Sequence, residues 1–251
     1  MLEAKRDAIK NRLIRMYKAA NAGHVGSSLS CLELMVFIKF HLWQPGDELI
    51  LSKGHAAALL YSTLAEEGVI PEQAISLFYK NNTSLPAHPP VNIIKGIPFA
   101  TGSLGHGLSL AAGFGLASRL KKQSKKIYCI TSDGELNEGS TWEAALFIAH
   151  HCLKNIVWLI DRNQLQGFGR TEDTLKLEPL DEKLESFGFQ VVSTNGHDFD
   201  ALKTALSLFS NERPLAVICH TIKGRDLTLQ DTVDCHYLPL TEADYNKLIQ
   251  L

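Results

Sequence analysis

Four carboxylates fall within eleven residues of the segment ITSDGELNEGSTWEAA, at 130–145: Asp133, Glu135, Glu138 and Glu143. They directly follow an apolar run, KIYCITS at 126–132, which predicts a buried strand. In an open parallel sheet, ligands bind beyond the carboxyl ends of the strands. Asp133 is therefore predicted to lie at the ligand-binding edge of a sheet.

A second polar run, which begins Arg-Asn-Gln, follows the next predicted strand at 155–161. A right-handed crossover through a helix at 141–153 places the two strands side by side, so that Asp133 and Asn163 face one another across a crevice. A carboxylate and an amide oxygen suit Mg²⁺ or Ca²⁺, which completes its shell with water and phosphates. Because Gly134 lets a phosphate approach the backbone closely, the pattern predicts a site for a metal-bridged diphosphate.

The elements that position these residues alternate along the chain. Strands are predicted at 47–52, 126–132, 155–161, 189–195 and 215–221, and helices at 2–22, 30–43, 56–68, 105–122, 141–153, 178–188 and 198–210. Apolar strands that alternate with helices are typical of a parallel sheet with helices on both faces. We therefore predict an α/β fold, with no internal repeat and no interdomain linker.

Composition disfavours several classes of protein. Twenty-five Lys and Arg residues balance 27 Asp and Glu residues, for a formal charge of −2, and no basic patch of the nucleic-acid-binding type is present. No apolar run approaches the ~18 residues of a membrane span. The five cysteines are scattered without a Cys-x-x-Cys pair, which disfavours a zinc site or a disulfide framework. We expect a cytoplasmic protein that binds neither nucleic acid nor membrane.

The Asp133-Gly pair and Asn163 are more informative together, one crossover apart, than either is alone. An Asp-Gly pair after a strand is most often only a turn. However, the separation of 163 − 133 = 30 positions equals one strand–helix–strand crossover, and it resembles the thiamine diphosphate motif, Gly-Asp-Gly followed by a helix, a strand and Asn. Ser132 replaces the first Gly, and Arg162 replaces an Asn that often precedes the metal ligand. Neither change removes a metal-donor group.

Eight ordered segments resemble the N-terminal, diphosphate-binding domain of transketolase over nearly the whole chain. They are AGHVGSSLS (22–30), LSKGHAAALLYSTLAEEG (51–68), LPAHPP (85–90), TGSLGHGLSLAAGFGLASRL (101–120), SDGELNEGSTWEAA (132–145), IDRNQLQGFGRTED (160–173), GHD (196–198) and HTIKG (220–224). The resemblance implies a single domain of the thiamine diphosphate-binding fold over residues 1–251. It also implies thiamine diphosphate and Mg²⁺ as cofactors, with Ca²⁺ as a substitute, and transfer of a two-carbon ketol unit from a ketose or ketose phosphate to an aldose.

The same resemblance assigns the cofactor site residue by residue. His55 matches the family's diphosphate-contacting histidine, and Gly134 matches its diphosphate-contacting glycine. Gly102 and Leu104 match backbone positions that hold the aminopyrimidine edge of the cofactor. The implied metal ligands are Asp133, Asn163 and the carbonyl of Leu165.

Three histidines resemble those that line the reacting carbon in the family: His24, His88 and His236. Ketol transfer needs proton movement at substrate hydroxyls, which histidine performs near neutral pH. His236, on an atypical loop, is also predicted to contact the cofactor. Glu138 matches a family position that faces the partner subunit and links two cofactor sites; the alternative is a solvated Glu at a helix start.

The resemblance covers the first domain of a transketolase, so we expect the pyrimidine-binding and C-terminal domains to be absent from this chain. It would then be the N-terminal subunit of a split transketolase, active only with a C-terminal subunit, in an assembly of two copies of each. The Gly- and Ala-rich helix at 105–122 and the region of Glu138 are predicted interfaces. Two alternatives stay open: a subunit of another thiamine diphosphate enzyme, of the 2-oxo acid dehydrogenase or deoxyxylulose phosphate synthase type, and a non-catalytic regulatory homologue.

Overall fold

The computed structural model describes residues 1–208 and 212–249. Its strands are β1 (Glu48–Leu51), β2 (Ile127–Ser132), β3 (Ile156–Arg162), β4 (Leu165–Gln166), β5 (Gly169–Arg170), β6 (Gln190–Asn195) and β7 (Leu215–His220). Its helices are α1 (Leu2–Ala20), α2 (Val25–Ser30), α3 (Leu32–Phe37), α4 (Ala57–Glu66), α5 (Gly107–Leu120), α6 (Gly139–His150), α7 (Thr171–Thr174), α8 (Leu180–Phe187), α9 (Phe199–Ser207), α10 (Asp234–Tyr237) and α11 (Glu242–Ile249). The last two residues of the helix predicted at 198–210, and residues 250–251 of the predicted domain, lie outside the described residues. Among the described residues, no helix combines the length and the apolar character needed to cross a membrane.

Five strands form one sheet in the order β1-β2-β3-β7-β6, and every neighbouring pair is parallel. The predicted α/β class with a parallel sheet is confirmed, and the five predicted strands agree with the observed bounds to within one residue at each end. β2 and β3 are neighbours, with Ser132 opposite Asp161. The carboxyl ends of these two strands therefore lie at one edge of the sheet, as the crossover predicts.

Apolar layers cover both faces of the sheet. Tyr128 and Ile130 of β2 belong to a cluster packed with α1, α3 and α4, whereas Ile127 and Cys129 belong to a second cluster packed with α5, α6 and α8. Successive side chains of a strand point to opposite faces, which separates the two sets. Every residue of β2 and β3 is buried, as expected of strands covered on both sides.

The structure corrects two predicted helices. The helix predicted at 30–43 is interrupted at Cys31, which separates α2 from α3, and it continues as a π-helical turn over Ile38–Leu42. Its apolar pattern is continuous, so the sequence does not reveal the break. The first helix ends at Ala20 rather than residue 22, because Asn21 adopts a left-handed conformation with φ of 48°. The β4–β5 hairpin lies in a segment for which the pattern predicts no element.

Hydrogen bonds to the Glu135 carboxylate join the edge of the sheet to the segment before α5. Its Oε2 accepts the Ser132 N–H at 2.9 Å, and its Oε1 accepts the Gly105 N–H at 3.0 Å and the Ser52 hydroxyl. The carboxylate is fully buried, and burial raises its pKa. Of the four carboxylates after β2, Glu135 therefore serves as a buried hydrogen-bond acceptor that stabilises the turn after the strand.

We expect Glu135→Ala to lower the free energy of unfolding by at least about 3 kcal/mol. Two buried N–H groups and a hydroxyl would lose their acceptor, at about 1–3 kcal/mol for each unsatisfied group. Urea unfolding followed by circular dichroism measures the change. Glu143→Ala, at an exposed position of α6, is the control and should stay within about 0.5 kcal/mol of wild type. Equal losses in the two variants would contradict this role for Glu135.

Candidate cofactor site

Asp133 lies at the carboxyl end of β2, against the segment that follows β3. Its Oδ2 accepts the Gln164 N–H at 2.5 Å and the Arg162 guanidinium at 2.9 Å, and its Oδ1 accepts the Gly134 N–H at 2.9 Å. Asp133 and Asn163 are both buried. Burial raises the pKa of Asp133 above its ordinary value, although the Arg162 charge opposes this.

The predicted metal ligands are hard oxygen donors of the kind that Mg²⁺ and Ca²⁺ prefer. The Asn163 Oδ1 accepts the Leu165 N–H at 3.1 Å, and the Leu165 carbonyl accepts the Lys223 Nζ at 3.1 Å. An amide or carbonyl oxygen has two lone pairs, so each of these contacts leaves one for a metal. Within the described residues there is no cluster of three or more His, Cys, Asp and Glu side chains that could hold a metal. A metal at this edge thus depends on amide and carbonyl oxygens beside one carboxylate, and the residues present fit that role.

A cavity of about 480 Å³, here called the cofactor cavity, adjoins this edge of the sheet. Asp133, Asn163 and Leu165 do not line it, but Gly134 and Gln166, the chain neighbours of Asp133 and Leu165, do. Two of the predicted metal ligands are therefore next in the chain to residues of the cavity wall. The other predicted site residues all line the cavity: His24, His55, His88, Gly102, Leu104 and His236.

Four histidines from four separate segments meet at the cofactor cavity. The His24 ring centroid lies 5.0 Å from that of His236, 5.5 Å from that of His55 and 6.3 Å from that of His88. Desolvation is the largest cause that lowers the pKa of each histidine, and together with Lys223 it brings the pKa of His236 to about 3. All four rings are therefore neutral at pH 7, and each has one N–H donor and one acceptor nitrogen. The buried Nδ1 of His236 has no hydrogen-bond partner among the described residues.

His24 is held in an unfavourable backbone conformation. Its φ of 72° lies in the left-handed region, which costs a non-glycine residue about 1–3 kcal/mol. The His24 N–H donates to the His236 carbonyl at 3.0 Å, and the Tyr17 hydroxyl donates to the His24 carbonyl at 3.3 Å. These contacts hold the backbone of His24 next to that of His236.

Two glycines leave the backbone exposed at the wall of the cofactor cavity. Gly102 adopts φ of 152°, and a Cβ there would lie 3.0 Å from the His88 ring. A Cβ on Gly134 would lie 3.3 Å from the Cβ of Gln166. Because neither glycine has a side chain, a ligand in the cavity can reach the backbone at both positions.

The structure adds residues that the sequence analysis did not assign to the site. Lys223 is buried, and burial, with the nearby Lys53, lowers its pKa to about 8. Tyr237 lines both the cofactor cavity and a second cavity of about 260 Å³, and its hydroxyl donates to the Gly167 carbonyl at 2.8 Å. The sequence offered two signals: Lys223 lies in the matched segment HTIKG, and Tyr237 follows the predicted His236.

Glu138 is exposed and also lines the cofactor cavity. It directly precedes α6, and its side chain makes no capping hydrogen bond to that helix. Its assignment to a subunit interface stays a prediction.

Comparison with known families gives one match over nearly the whole chain. The sequence model described as "Transketolase, thiamine diphosphate binding domain" matches residues 5–250. The transketolase of Campylobacter jejuni has the same fold, with a TM-score of 0.92 and 28% sequence identity over 99% of this chain. This chain spans 42% of the length of that structure.

Two relatives of similar length are named as transketolase subunits. An apulose-4-phosphate transketolase subunit from Actinobacillus succinogenes is 38% identical over 90% of this chain and 86% of its own length. A 6-deoxy-6-sulfo-D-fructose transketolase subunit from Clostridium sp. is 33% identical over 96% of this chain and 92% of its own length.

Proposed function

Because the chain belongs to the transketolase family, as its thiamine diphosphate-binding domain, we propose that it is the N-terminal subunit of a two-chain transketolase. The enzyme transfers a two-carbon ketol unit from a ketose or ketose phosphate to an aldose. The observation that carries the proposal is the cofactor cavity, which places four neutral histidines next to a buried set of oxygen donors. The two-chain form is supported by relatives of similar length that are named as subunits.

The residues described above have two sets of roles toward the cofactor. His55 and Gly134 contact the diphosphate, and the backbone of Gly102 and Leu104 contacts the aminopyrimidine. When bound, thiamine diphosphate supplies the electron sink for cleavage of the carbon–carbon bond beside a ketone. Mg²⁺, or Ca²⁺ in its place, is held by Asp133, Asn163 and the carbonyl of Leu165.

His24, His88 and His236 carry the proton transfers. A neutral imidazole accepts a proton from a substrate hydroxyl through its free ring nitrogen and later returns it. The desolvation that lowers their pKa keeps that nitrogen unprotonated at pH 7. His24, His88 and His236 all line the cofactor cavity, where their rings can meet a substrate.

The substrate is a sugar or sugar phosphate, and the partner binds any charged group that it carries. No Lys or Arg is among the described residues that line the cofactor cavity or the second cavity. Lys and Arg bind anionic groups most strongly, so we assign these cations to the C-terminal subunit. A cytoplasmic location is supported by the five cysteines, all of which are free thiols.

A second copy of this chain completes the proposed assembly. The outer faces of α5 and α6 expose the apolar side chains of Leu120, Leu146 and Phe147. Gly113, on the exposed side of α5, has nothing within 4 Å of an added Cβ. Small residues permit close approach of another element, which supports a contact between copies or with the partner at this face.

We expect the purified 251-residue chain to show no ketol transfer, and we expect activity to appear when its partner chain and thiamine diphosphate are added. A ketol-transfer assay measures activity, and light scattering should give the mass of two copies of each chain. The partner chain alone is the control. Robust activity from this chain with no second protein present would refute the two-chain proposal.

A further inference from the structure

Arg162, the last residue of β3, is a buried cation bound to three carboxylates. Its side chain is 3% exposed. The guanidinium donates to the Asp133 Oδ2 at 2.9 Å, to the Glu172 Oε1 at 2.9 Å and to the Glu178 Oε1 at 2.8 Å. Asp133 is fully buried, whereas Glu172 and Glu178 are 33% and 53% exposed. The guanidinium thus bridges an inner carboxylate and two outer ones.

The two oxygens of Asp133 differ in their hydrogen bonds. Oδ2 accepts from the Arg162 guanidinium, from the Gln164 N–H and, at 3.4 Å, from the Thr171 hydroxyl. Oδ1 accepts only the Gly134 N–H among the described residues. The donors of Oδ2 come from β3, from the residues after it and from α7, so they hold the carboxylate in one orientation. Oδ1 keeps a lone pair for a further ligand.

We propose that Arg162 is a positioning residue for the metal: it fixes the Asp133 carboxylate so that Oδ1 is the oxygen presented to the ion. The inference rests on the proposed function, because that function supplies the metal. Groups that orient a metal ligand through hydrogen bonds typically change metal affinity by about 10–100-fold when they are removed. A planar guanidinium suits this task, since it binds Asp133 and the outer carboxylates at the same time.

The charge of Arg162 is the main argument against this role, because a cation beside a metal ligand repels the metal. The outer carboxylates remove that objection. Glu172 and Glu178 carry two negative charges against the single positive charge of the guanidinium, and both lie within 2.9 Å of it. The group of three side chains is therefore net negative, and Arg162 acts on the site through its hydrogen bond to Asp133.

The test uses the full chain assembled with its partner and saturated with thiamine diphosphate. Mn²⁺ is the probe, since it takes the same oxygen ligands as Mg²⁺, and electron paramagnetic resonance reports the free ion. We expect Arg162→Met to weaken Mn²⁺ binding by about 10–100-fold. Arg162→Lys keeps the charge but not the planar guanidinium with its several N–H donors. Its Mn²⁺ affinity should lie between those of Arg162→Met and wild type. Arg170→Met is the matched control, because Arg170 is an exposed residue of β5 that pairs with Asp231.

A second variant separates positioning from folding. Glu172→Asp combined with Glu178→Asp keeps both negative charges, shortens the two side chains that hold the guanidinium and leaves Asp133 intact, and we expect a smaller loss of Mn²⁺ affinity from the less firmly held guanidinium. Should Arg162→Met fail to fold, this double variant decides the question. A merely structural role would lower the melting temperature and leave the Mn²⁺ affinity of the folded protein unchanged.

The possible outcomes are distinct. Weaker Mn²⁺ binding in Arg162→Met, with Arg170→Met unchanged, supports the assignment. Unchanged or tighter binding in Arg162→Met, or unchanged binding in the double variant when Arg162→Met does not fold, overturns it while the proposed function stands. Failure of the wild-type assembly to bind Mn²⁺ overturns the proposed function and this inference with it.

Discussion

Asp133→Ala or Asn163→Ala is expected to abolish Mg²⁺-dependent binding of thiamine diphosphate. The metal would join the protein to the diphosphate, and these two residues provide the side-chain oxygens at the ends of β2 and β3. Without Asp133, the buried cation Lys223 stays next to the site with less negative charge to offset it. Calorimetric titration of the assembled complex with the cofactor, with and without Mg²⁺, measures the loss.

Two further variants show whether the loss of cofactor binding is specific to the metal site. Asp133→Asn keeps the shape of the side chain and one oxygen but removes the charge, so it separates loss of charge from loss of packing. Asp173→Ala, at an exposed position of α7, is the control and should bind the cofactor as wild type does. Circular dichroism establishes that each variant is folded. Wild-type affinity in both Asp133→Ala and Asn163→Ala would exclude this edge of the sheet as the metal site.

His24→Ala and His55→Ala should fail in different ways. We expect His24→Ala to lower turnover by roughly 10²–10⁴-fold with cofactor affinity near wild type, because general acid–base catalysis contributes that much. We expect His55→Ala to raise the dissociation constant of the cofactor roughly ten- to a hundredfold. That is the effect of one hydrogen bond to a charged group, about 1.5–3 kcal/mol.

The rings lie close together, since the His55 ring centroid is 5.5 Å from those of His24 and of His236, so the division of roles stays a prediction. His24 lies beside both His88 and His236, the other two predicted proton carriers. His55 follows Gly54, which packs against the backbone of Thr101 and Gly102, the predicted cofactor-contacting segment. Steady-state kinetics and direct cofactor titration separate the two quantities, and His150→Ala, at an exposed position of α6, is the control. If both variants changed both quantities equally, the division of roles would be wrong.

Strand positions were predictable because strands buried on both faces are continuous apolar runs bounded by polar turns. All residues of β2 and β3 are buried, and both strands were located to within one residue at each end. The break at Cys31 was not predictable, since the apolar pattern runs through it unchanged. The β4–β5 hairpin was missed because two-residue strands are too short to show an alternating pattern.

Residue types and their spacing were enough to predict that polar residues share one edge of the sheet. The polar residues after β2 and β3 are one crossover apart, which implies a shared edge, because parallel strands joined in this way end on the same side. The partners of the charged and polar side chains around this edge could not be read from the sequence. Arg162 binds Asp133 across 29 positions, Lys223 binds the Leu165 carbonyl across 58, and Tyr237 binds the Gly167 carbonyl across 70. Such pairs are fixed by three-dimensional packing, because the direction in which a side chain folds back depends on segments that the local pattern does not connect.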